Sequence, residues 1–495
     1  MKLLEKTLTK IPMYTLVAGG LSVLVASALV LSLADTLAFD AGALALSLAV
    51  FTVASAGASY GLGKAYGVPS HLRSSLITAL ILTLLFTPSL DPGVLTQYTF
   101  IAVIAQASKY VLTVRRRHIF NPAAVGALIG GAVLQLQFAS WWIATPVLFV
   151  PLFIAAFLVL YKTRELALGG IFISTAVAVV ALGGLLRGEG LLEALAAALL
   201  SWPIIFVAGF MLSEPLTLPP RHWQKLVIGA VVAAIVALPF HIGGFYSSPE
   251  FALVIGNLLA LVLAFRHRRA VSLTFKEQRQ LTPTSKEFIF ELDHPAVFEP
   301  GQYIELTLPH RGQDIRGTRR SFSITSTPGE RELRLGIKFY NPSSTFKQQL
   351  LQLEEGTVVQ STGITGDFVL PRDPKEKLLL IAGGIGITPF ISHILANQTR
   401  QRDIILLYFT VSPDEAAYQE IINNSSAVVH NFVATNVRDG FVVSPILTDD
   451  ILEKYVPDLD ERHAYISGPP VMITSVKHLL QGRAKHIKTD YFSGY

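Results

Sequence analysis

The chain contains no cysteine. That absence removes disulfides, thiolate zinc sites and Cys-ligated iron–sulfur clusters together, and it leaves the redox compartment open. Charge is scarce as well. Asp, Glu, Lys and Arg make up 15% of 495 residues against 51% hydrophobic residues, which excludes a chain that is soluble throughout. The scarcity is uneven. Up to about Phe265 long apolar runs dominate, and from Arg266 onward the sequence is charged, strand-like and globular. There is no low-complexity tract. No cleavable signal peptide is expected, because the first apolar run, after MKLLEKTLTK, is long enough to span a bilayer. The length suits two or three domains. The net charge of +5 matters less than where the charges fall.

A spanning helix needs about 20 apolar residues, fewer when packed among others. Ten stretches qualify, near 13–33, 41–61, 74–88, 93–112, 122–138, 141–161, 168–186, 191–213, 224–240 and 251–265. The odd-side segments carry Lys2, Lys6 and Lys10; Lys64 and Arg73; Lys109 and Arg115 to Arg117; Lys162 and Arg164; Arg221 and Lys225; then Arg266, Arg268 and Arg269. The other side carries Arg187 beside Asp35, Asp40, Asp91 and Glu189. This alternation is the positive-inside pattern for ten spans with both termini in the cytoplasm, and it predicts a multi-pass protein of the cell membrane. A soluble helical bundle has no reason to segregate Lys and Arg in this way.

The spans lack what several membrane functions require. His71, His118, His222, His241 and His267 all fall in loops or at helix ends, so a bis-histidine haem ladder is not expected. Acids and bases inside the spans are nearly absent. Glu193 and Lys109 sit near span ends, where long side chains are expected to snorkel. Mid-membrane charge therefore does not indicate pumping, although backbone carbonyls and Asn257 or Gln106 offer ligands for an ion. Two loops stand out on the side assigned to the cytoplasm, RRRHIFNPAAVG (115–126) and FMLSEPLTLPP (210–220). By composition the first reads as a basic, lipid-facing loop with a proline at a helix start, and the second as a Pro-rich helix stop.

With HIFNPAA after the fourth span and EPLT after the eighth, residues 10–265 resemble the ten-span Rnf-D/Nqr-B family, the flavin-bearing membrane proteins of Rnf complexes and of sodium-pumping NADH:quinone reductase. The resemblance implies flavin held within the membrane, in many members one FMN joined through phosphate to a Thr of a Ser/Thr-Gly-Ala-Thr stretch on the outer side. Here SWWIATPV (140–147) places Thr145 where that Thr is expected. Ile143 stands in place of the Gly, and the upstream acidic residue is missing. The departure speaks against covalent attachment and leaves a non-covalent FMN or riboflavin. The plainer role of Thr145 is a helix-start residue before a proline.

Residues 270–372 read as short alternating strands: VSLTFKEQ, EFIFELD, QYIELTLP, RSFSITS, ELRLGIKFY and TVVQSTGI. The pattern predicts a small antiparallel β-barrel. From residue 373 the period changes. KLLLIAGGIGITPFISHIL is an apolar strand, a Gly-rich turn and a helix, and DIILLYFTV and HAYISGPP are further buried strands. Strands alternating with helices predict a parallel α/β sheet with ligand at the carboxyl ends of its strands. The stretch RRSFSITS (319–326) has what a flavin dinucleotide needs: a cation for the pyrophosphate, a flat apolar surface for the ring and a hydrogen-bonding group near the reactive nitrogen. Arg320 and Phe322 share one face by period two, and Ser323 reaches the ring by its backbone or a local twist. On its own the stretch is also an ordinary barrel strand. PGQY (300–303) before it, and GITGDF (363–368) and GGIGITP (383–389) after it, change that balance. Gly383, Gly384 and Gly386 allow a pyrophosphate close to the backbone, and the helix starting near Thr388 and Pro389 aims its positive end there.

This ordered set resembles the ferredoxin–NADP reductase family over about 270–495. The family's Arg-x-Tyr/Phe-Ser motif matches Arg320, Ser321, Phe322 and Ser323, its nicotinamide-phosphate loop matches Gly383 to Pro389, and its Cys-Gly-Pro-Pro matches Ser467, Gly468, Pro469 and Pro470. The resemblance implies FAD and NADH or NADPH as cofactors, with Ser323 and Ser467 as catalytic residues. It also implies Ser344 or Thr345 capping a helix at the FAD pyrophosphate, and Phe492 or Tyr495 covering the flavin. Ser467 replaces the family's Cys, so hydride transfer is expected to be tuned differently. Val411-Ser412-Pro413-Asp414-Glu415 offers two acids and no Arg for a 2′-phosphate, so the reading leans to NADH.

The expected organisation is a polytopic α-helical membrane domain (1–269), an antiparallel β-barrel FAD domain (270–372) and a parallel-sheet NAD(P)-binding α/β domain (373–495). The expected function is a membrane-bound oxidoreductase. It takes hydride from NAD(P)H to FAD and passes electrons through the bilayer-embedded half, by way of a bound flavin, to quinone or an outer-side acceptor. Haem, iron–sulfur clusters and nucleic acid are not expected; partner redox subunits are compatible with the resemblance. A membrane transporter or redox-driven ion pump, driven or regulated by the reductase, is the alternative.

Overall fold

The computed structural model describes residues 8, 11–67, 72–114, 117–243, 245–264, 271–310, 314, 318–397, 402–435 and 439–490. The chain divides into two compact units, one within residues 1–266 and one within 267–492.

The first unit is helical. Its helices are α1 (Met13–Leu33), α2 (Ala41–Ala65), α3 (Leu72–Leu85), α4 (Pro92–Val111), α5 (Pro122–Leu128), α6 (Phe149–Thr163), α7 (Leu166–Leu186), α8 (Leu191–Leu200), α9 (Ile204–Phe206), α10 (His222–Ala237) and α11 (Pro249–Ala264). Two-residue hairpins, β1 (Thr113–Val114) with β2 (Arg117–His118) and β3 (His241–Ile242) with β4 (Phe245–Tyr246), interrupt them. Asp40, Asp91 and Asn121 cap α2, α4 and α5, their side chains accepting from backbone N–H groups of the first turn. Helix forms at every one of the ten apolar stretches. Among the described residues, four segments (13–33, 41–65, 146–163 and 166–186) are long and apolar enough to cross a membrane. Leu191–Leu200 with Ile204–Leu212, bent by 48°, makes a fifth if the pair is one span.

Two of the expected segments are shorter than the sequence suggests. The fifth, expected over 122–138, ends at Val133 after a π-helical turn, Ile129–Val133, and the sixth is helical only from Pro146. Gln135 and Trp141 adopt positive φ, and the N–H groups of Ser140 and Trp141 bond the carbonyl of Leu85 instead of a helical partner. The indole of Trp142 likewise donates to the carbonyls of Thr83 and Phe86. A second π-helical turn, Val207–Leu212, lies where helices approach closely. A Cβ on Gly209 would lie 2.5 Å from that of Ala156, as one on Gly126 would lie 2.8 Å from that of Ala105.

The second unit holds two six-stranded sheets. The antiparallel one comprises β5 (Ser272–Thr282), β6 (Ser285–Glu291), β7 (Tyr303–Thr307), β8 (Arg319–Ser323), β9 (Glu332–Lys338) and β10 (Val358–Thr365), in the order β8-β7-β10-β5-β6-β9. A single bridge between Ile324 and Leu335 joins its two edges. Phe288, Phe290, Ile304, Leu306 and Leu333 fill its core, and helix α12 (Thr345–Leu351) packs Phe346 and Leu350 into it.

The parallel sheet comprises β11 (Leu378–Gly383), β12 (Ile404–Thr410), β13 (Val428–Val433), β14 (Phe441–Val443), β15 (His463–Ser467) and β16 (His486–Asp490), in the order β14-β13-β12-β11-β15-β16. Helices α13 (Thr388–Asn397), α14 (Gln419–Asn423), α15 (Asp449–Tyr455) and α16 (Pro470–Leu480) accompany it. Strands β11 and β12 are buried at every position, as expected for parallel strands covered on both faces.

Gly301, at φ 89°, locks the two sheets together. A Cβ there would overlap His393 Nε2 and the Phe368 carbonyl. His393 is buried on α13 and its Nε2 bonds the carbonyl of Pro300 at 3.0 Å. A carbonyl only accepts, so Nε2 carries the proton, and burial holds the ring neutral by lowering its pKa to about 4.

Candidate functional site

Three polar side chains converge where the two sheets of the second unit meet. Ser323 ends β8, Ser467 ends β15 and Asp490 ends β16; Ser467 and Asp490 are direct partners in the parallel ladder. All three are buried. Burial, and behind it the charge of Asp367, pushes the Asp490 carboxyl up to about 7, against the opposing pull of the Ser323 and Ser467 hydroxyls. Neither Ser323 Oγ nor Asp490 Oδ2 has a hydrogen-bond partner. The Ser323 hydroxyl lies near enough to favour the carboxylate, yet no well-formed hydrogen bond joins Ser323 Oγ to Asp490 Oδ2. Orphaned buried polar atoms of this kind suit a site that a bound group completes. Ser323 and Ser467 were expected from sequence. Asp490 was not, because a lone Asp before YFSGY carries no signal until the register of β15 with β16 is known.

On the other face of β8, Arg320 and Phe322 lie together as period two requires. The Arg320 guanidinium sits 5.3 Å from the Phe346 ring centre, and the Phe322 and Phe346 rings are 6.0 Å apart. Ser344 caps α12, its hydroxyl accepting from the Lys347 N–H. Thr345 plays a different part: its Oγ1 bonds His310 Nε2 at 2.9 Å and accepts from the Asp314 N–H at 3.0 Å. The Asp314 carboxylate meets Arg320 Nη2 at 3.4 Å and accepts from the Thr345 N–H at 3.3 Å. Ser321 faces Glu305 in the ladder. These residues form one polar cluster with a guanidinium, a hydroxyl and backbone donors, a set suited to a pyrophosphate.

The glycine turn follows β11 as expected. Gly384 has φ 53°, a conformation that excludes most side chains. A Cβ on Gly386 would lie 2.5 Å from the Ser467 carbonyl, and one on Gly383 would overlap Met472 Sδ. The turn therefore packs closely on the backbone of Ser467 and Gly468 and on the ring of Pro469. Thr388 opens α13, its hydroxyl donating to the Ile385 carbonyl, and Pro389 is buried behind it. At the end of β12 the expectation is revised for one acid. Glu415 turns to the antiparallel sheet, where Lys338 at 3.0 Å and Thr284 at 2.6 Å hold it, so Asp414 alone of the two acids stays outside that pairing. Phe492 and Tyr495 lie outside the described residues.

In the first unit, the structure brings the two unusual loops together. Asn121 and Pro122 from one, and Phe210, Ser213 and Glu214 from the other, line a single cavity with Lys109, Ser74 and Thr78. Glu214 bonds His118 at 3.0 Å and the Asn121 amide at 3.2 Å. The backbone N–H of Asn121 donates to the Asn257 side chain at 2.8 Å, which occupies that carbonyl oxygen. Lys109 does not snorkel. Its ammonium turns inward to the Ser74 carbonyl, Ser74 Oγ and Thr78 Oγ1 at 3.1, 2.9 and 3.0 Å, because three oxygens replace the water it gives up. Glu193 is exposed. Glu250, missed from sequence, is buried in the first turn of α11 and accepts from the Trp141 indole at 3.0 Å. Thr145 lies before the short helical turn Pro146–Leu148; its Oγ1 is buried and unpartnered.

The oxidoreductase NAD-binding domain family matches residues 380–478. The glycine betaine monooxygenase reductase subunit of Pseudomonas aeruginosa is 27% identical over 209 residues, 40% of this chain and 56% of that protein. The reductase component of the naphthalene 1,2-dioxygenase system of Pseudomonas putida is 27% identical over 212 residues, 41% of this chain and 62% of that one. A flavohemoprotein of Pseudomonas aeruginosa is 29% identical over 190 residues, 37% and 47% of the two chains. The chain spans about half the length of the curated relatives it matches. The flavohem-like FAD/NAD-binding domain of Vibrio cholerae nitric oxide dioxygenase aligns over 45% of this chain and 98% of its own, at 19% identity and a TM-score of 0.40.

Proposed function

We propose, from a C-terminal half that is a ferredoxin–NADP reductase-family FAD/NAD-binding domain, that this chain is a membrane-bound NAD(P)H oxidoreductase. It passes electrons through its helical half to quinone or an outer-side acceptor. The observation that carries the reading is the meeting of Ser323, Ser467 and the proton-poised Asp490 at the carboxyl ends of β15 and β16, beside the glycine turn.

FAD, when bound, accepts a hydride from a nicotinamide and releases electrons one at a time. Arg320, Ser321, Phe322, Ser344 and Thr345 are the residues to hold it, and Gly383, Gly384, Gly386, Thr388, Pro389, Gly468 and Pro469 those to admit the nicotinamide nucleotide. Ser467 and Ser323 orient the reacting edge, and Asp490 holds a proton that it can give or take near neutral pH. Phe492 or Tyr495 is the candidate cover for the ring. The domain limits that go with this reading are 1–269, 270–372 and 373–495.

For the helical half, the reading is a ten-span domain of the Rnf-D/Nqr-B kind, in the cell membrane with both termini cytoplasmic. The joining of the HIFNPAA and SEPLT loops around one cavity supports it. A flavin there, FMN or riboflavin, bridges a hydrocarbon layer roughly 30 Å thick. Thr145, whose buried Oγ1 is unpartnered, is the candidate to contact it on the outer side without a covalent link. Redox-driven ion movement is the second reading, favoured by the buried Glu250 and Lys109 within the apolar unit.

The deciding experiment is the flavin content of the purified full-length protein before and after acid precipitation, followed by anaerobic addition of NADH and of NADPH. One FAD per chain, reduced by nucleotide, with a second flavin besides, is the expected result. A flavin that neither nucleotide reduces overturns the reading.

A further inference from the structure

We propose that Asp314 is an internal stand-in for the FAD pyrophosphate, a carboxylate that the dinucleotide must displace in order to bind. The inference rests on the FAD reading of the second unit. Its basis is the coincidence of partners. The two groups assigned to the pyrophosphate, the Arg320 guanidinium and the Thr345 segment, are both engaged by Asp314. One carboxylate oxygen meets Arg320 Nη2 at 3.4 Å, and the other accepts from the Thr345 N–H at 3.3 Å. The contact is reciprocal, since the Asp314 N–H donates to Thr345 Oγ1 at 3.0 Å, and His310 holds that hydroxyl from the other side at 2.9 Å. Arg320 and Asp314 are largely withdrawn from water, their side chains 12% and 23% exposed, so screening of the pair is weak.

A pyrophosphate brings two negative charges to the same guanidinium. Beside an ionised Asp314 it would meet like charge at close range, in a setting where charges interact more strongly than in water. Either the carboxylate leaves or the phosphate stays out. The arrangement gives Arg320 a charged partner in the absence of cofactor, beside its bond to the Arg319 carbonyl at 2.6 Å. It does so by lowering the affinity for FAD by the fraction of protein held in the self-paired state.

The test strips flavin from the full-length protein in detergent and titrates FAD back, reading flavin fluorescence. Asp314→Asn keeps the size and the acceptor for the Thr345 N–H while removing the charge. It is expected to bind FAD about tenfold more tightly than the wild type and to associate faster. Riboflavin, which has no phosphate, is expected to bind both proteins equally, which separates relief of the charge from a general change in the pocket. Unchanged or weaker FAD binding by Asp314→Asn overturns the proposal, the weaker case making Asp314 a ligand of the bound dinucleotide. Tighter binding of riboflavin and FAD alike overturns it too. Failure of both wild type and Arg320→Ala to take up FAD sinks the FAD reading, and the stand-in with it. FAD uptake by the wild type and its loss in Arg320→Ala leave that reading intact whatever Asp314→Asn does.

Discussion

Ser467 and Asp490 are paired residues at the ends of adjacent parallel strands, both buried, with the Ser323 hydroxyl of the other sheet beside the carboxyl. The raised carboxyl means that Asp490 is protonated below about pH 7 and ionised above it. Asp490→Asn is expected to slow flavin reduction by NADH by about a hundredfold and to flatten its pH dependence between about pH 6 and 8, in stopped-flow absorbance.

The same carboxyl has a stability consequence of fixed sign. Its folded-state pKa lies above the ordinary Asp value, so its neutral form contributes stability fully below about pH 4, and that contribution is lost as pH rises through about 7. Asp490→Asn, uncharged at any pH, is therefore expected to raise Tm relative to wild type at about pH 8.5 and to gain least at about pH 5. Differential scanning calorimetry at the two pH values checks this.

Gly386 has no room for a side chain against the Ser467 carbonyl. Gly386→Val is expected to lose reduction by NADH and NADPH while keeping FAD and its reduction by dithionite. Loss of FAD as well would show that the turn supports the whole unit rather than the nucleotide alone.

Gly301 combines positive φ with contact on His393 and the Phe368 carbonyl. Gly301→Ala is expected to destabilise the second unit by about 2–4 kcal/mol. Urea unfolding followed by FAD fluorescence measures it, and a loss under about 0.5 kcal/mol would mean that the two sheets shift apart at little cost.

Lys109 gives its ammonium to three oxygens inside the helical unit. Lys109→Met is expected to lower NADH-driven quinone reduction about tenfold. Reduction of a water-soluble one-electron acceptor, served by the second unit alone, is expected to stay within about twofold. Equal loss of both activities would assign Lys109 a folding role.

Much of this was legible in the residues. Six alternating strands, the glycine turn and the apolar stretches emerge as elements close to where periodicity puts them, because period-two burial and all-round apolarity are local properties. Helix ends at Asp40, Asp91 and Asn121 follow from capping chemistry within three residues. The shortened segments at 122–133 and 146–163 were not legible. There Leu85, a distant residue, takes over the N–H groups of Ser140 and Trp141.

By itself, the sequence determined a split between an apolar helical half and a charged α/β half, and within the second a strand with Arg320, Phe322 and Ser323 and a glycine-rich turn between a strand and a helix. Composition and short-range pattern suffice for those, since each depends on neighbours along the chain. Tertiary structure alone decided that Asp490 joins Ser323 and Ser467, that Asp314 sits on Arg320, that Glu415 is spent on Lys338 and that Lys109 turns inward. Each of the four sets a charged group by partners from other elements. Burial and partner identity, which govern the state of a charge, exist only once those elements have packed.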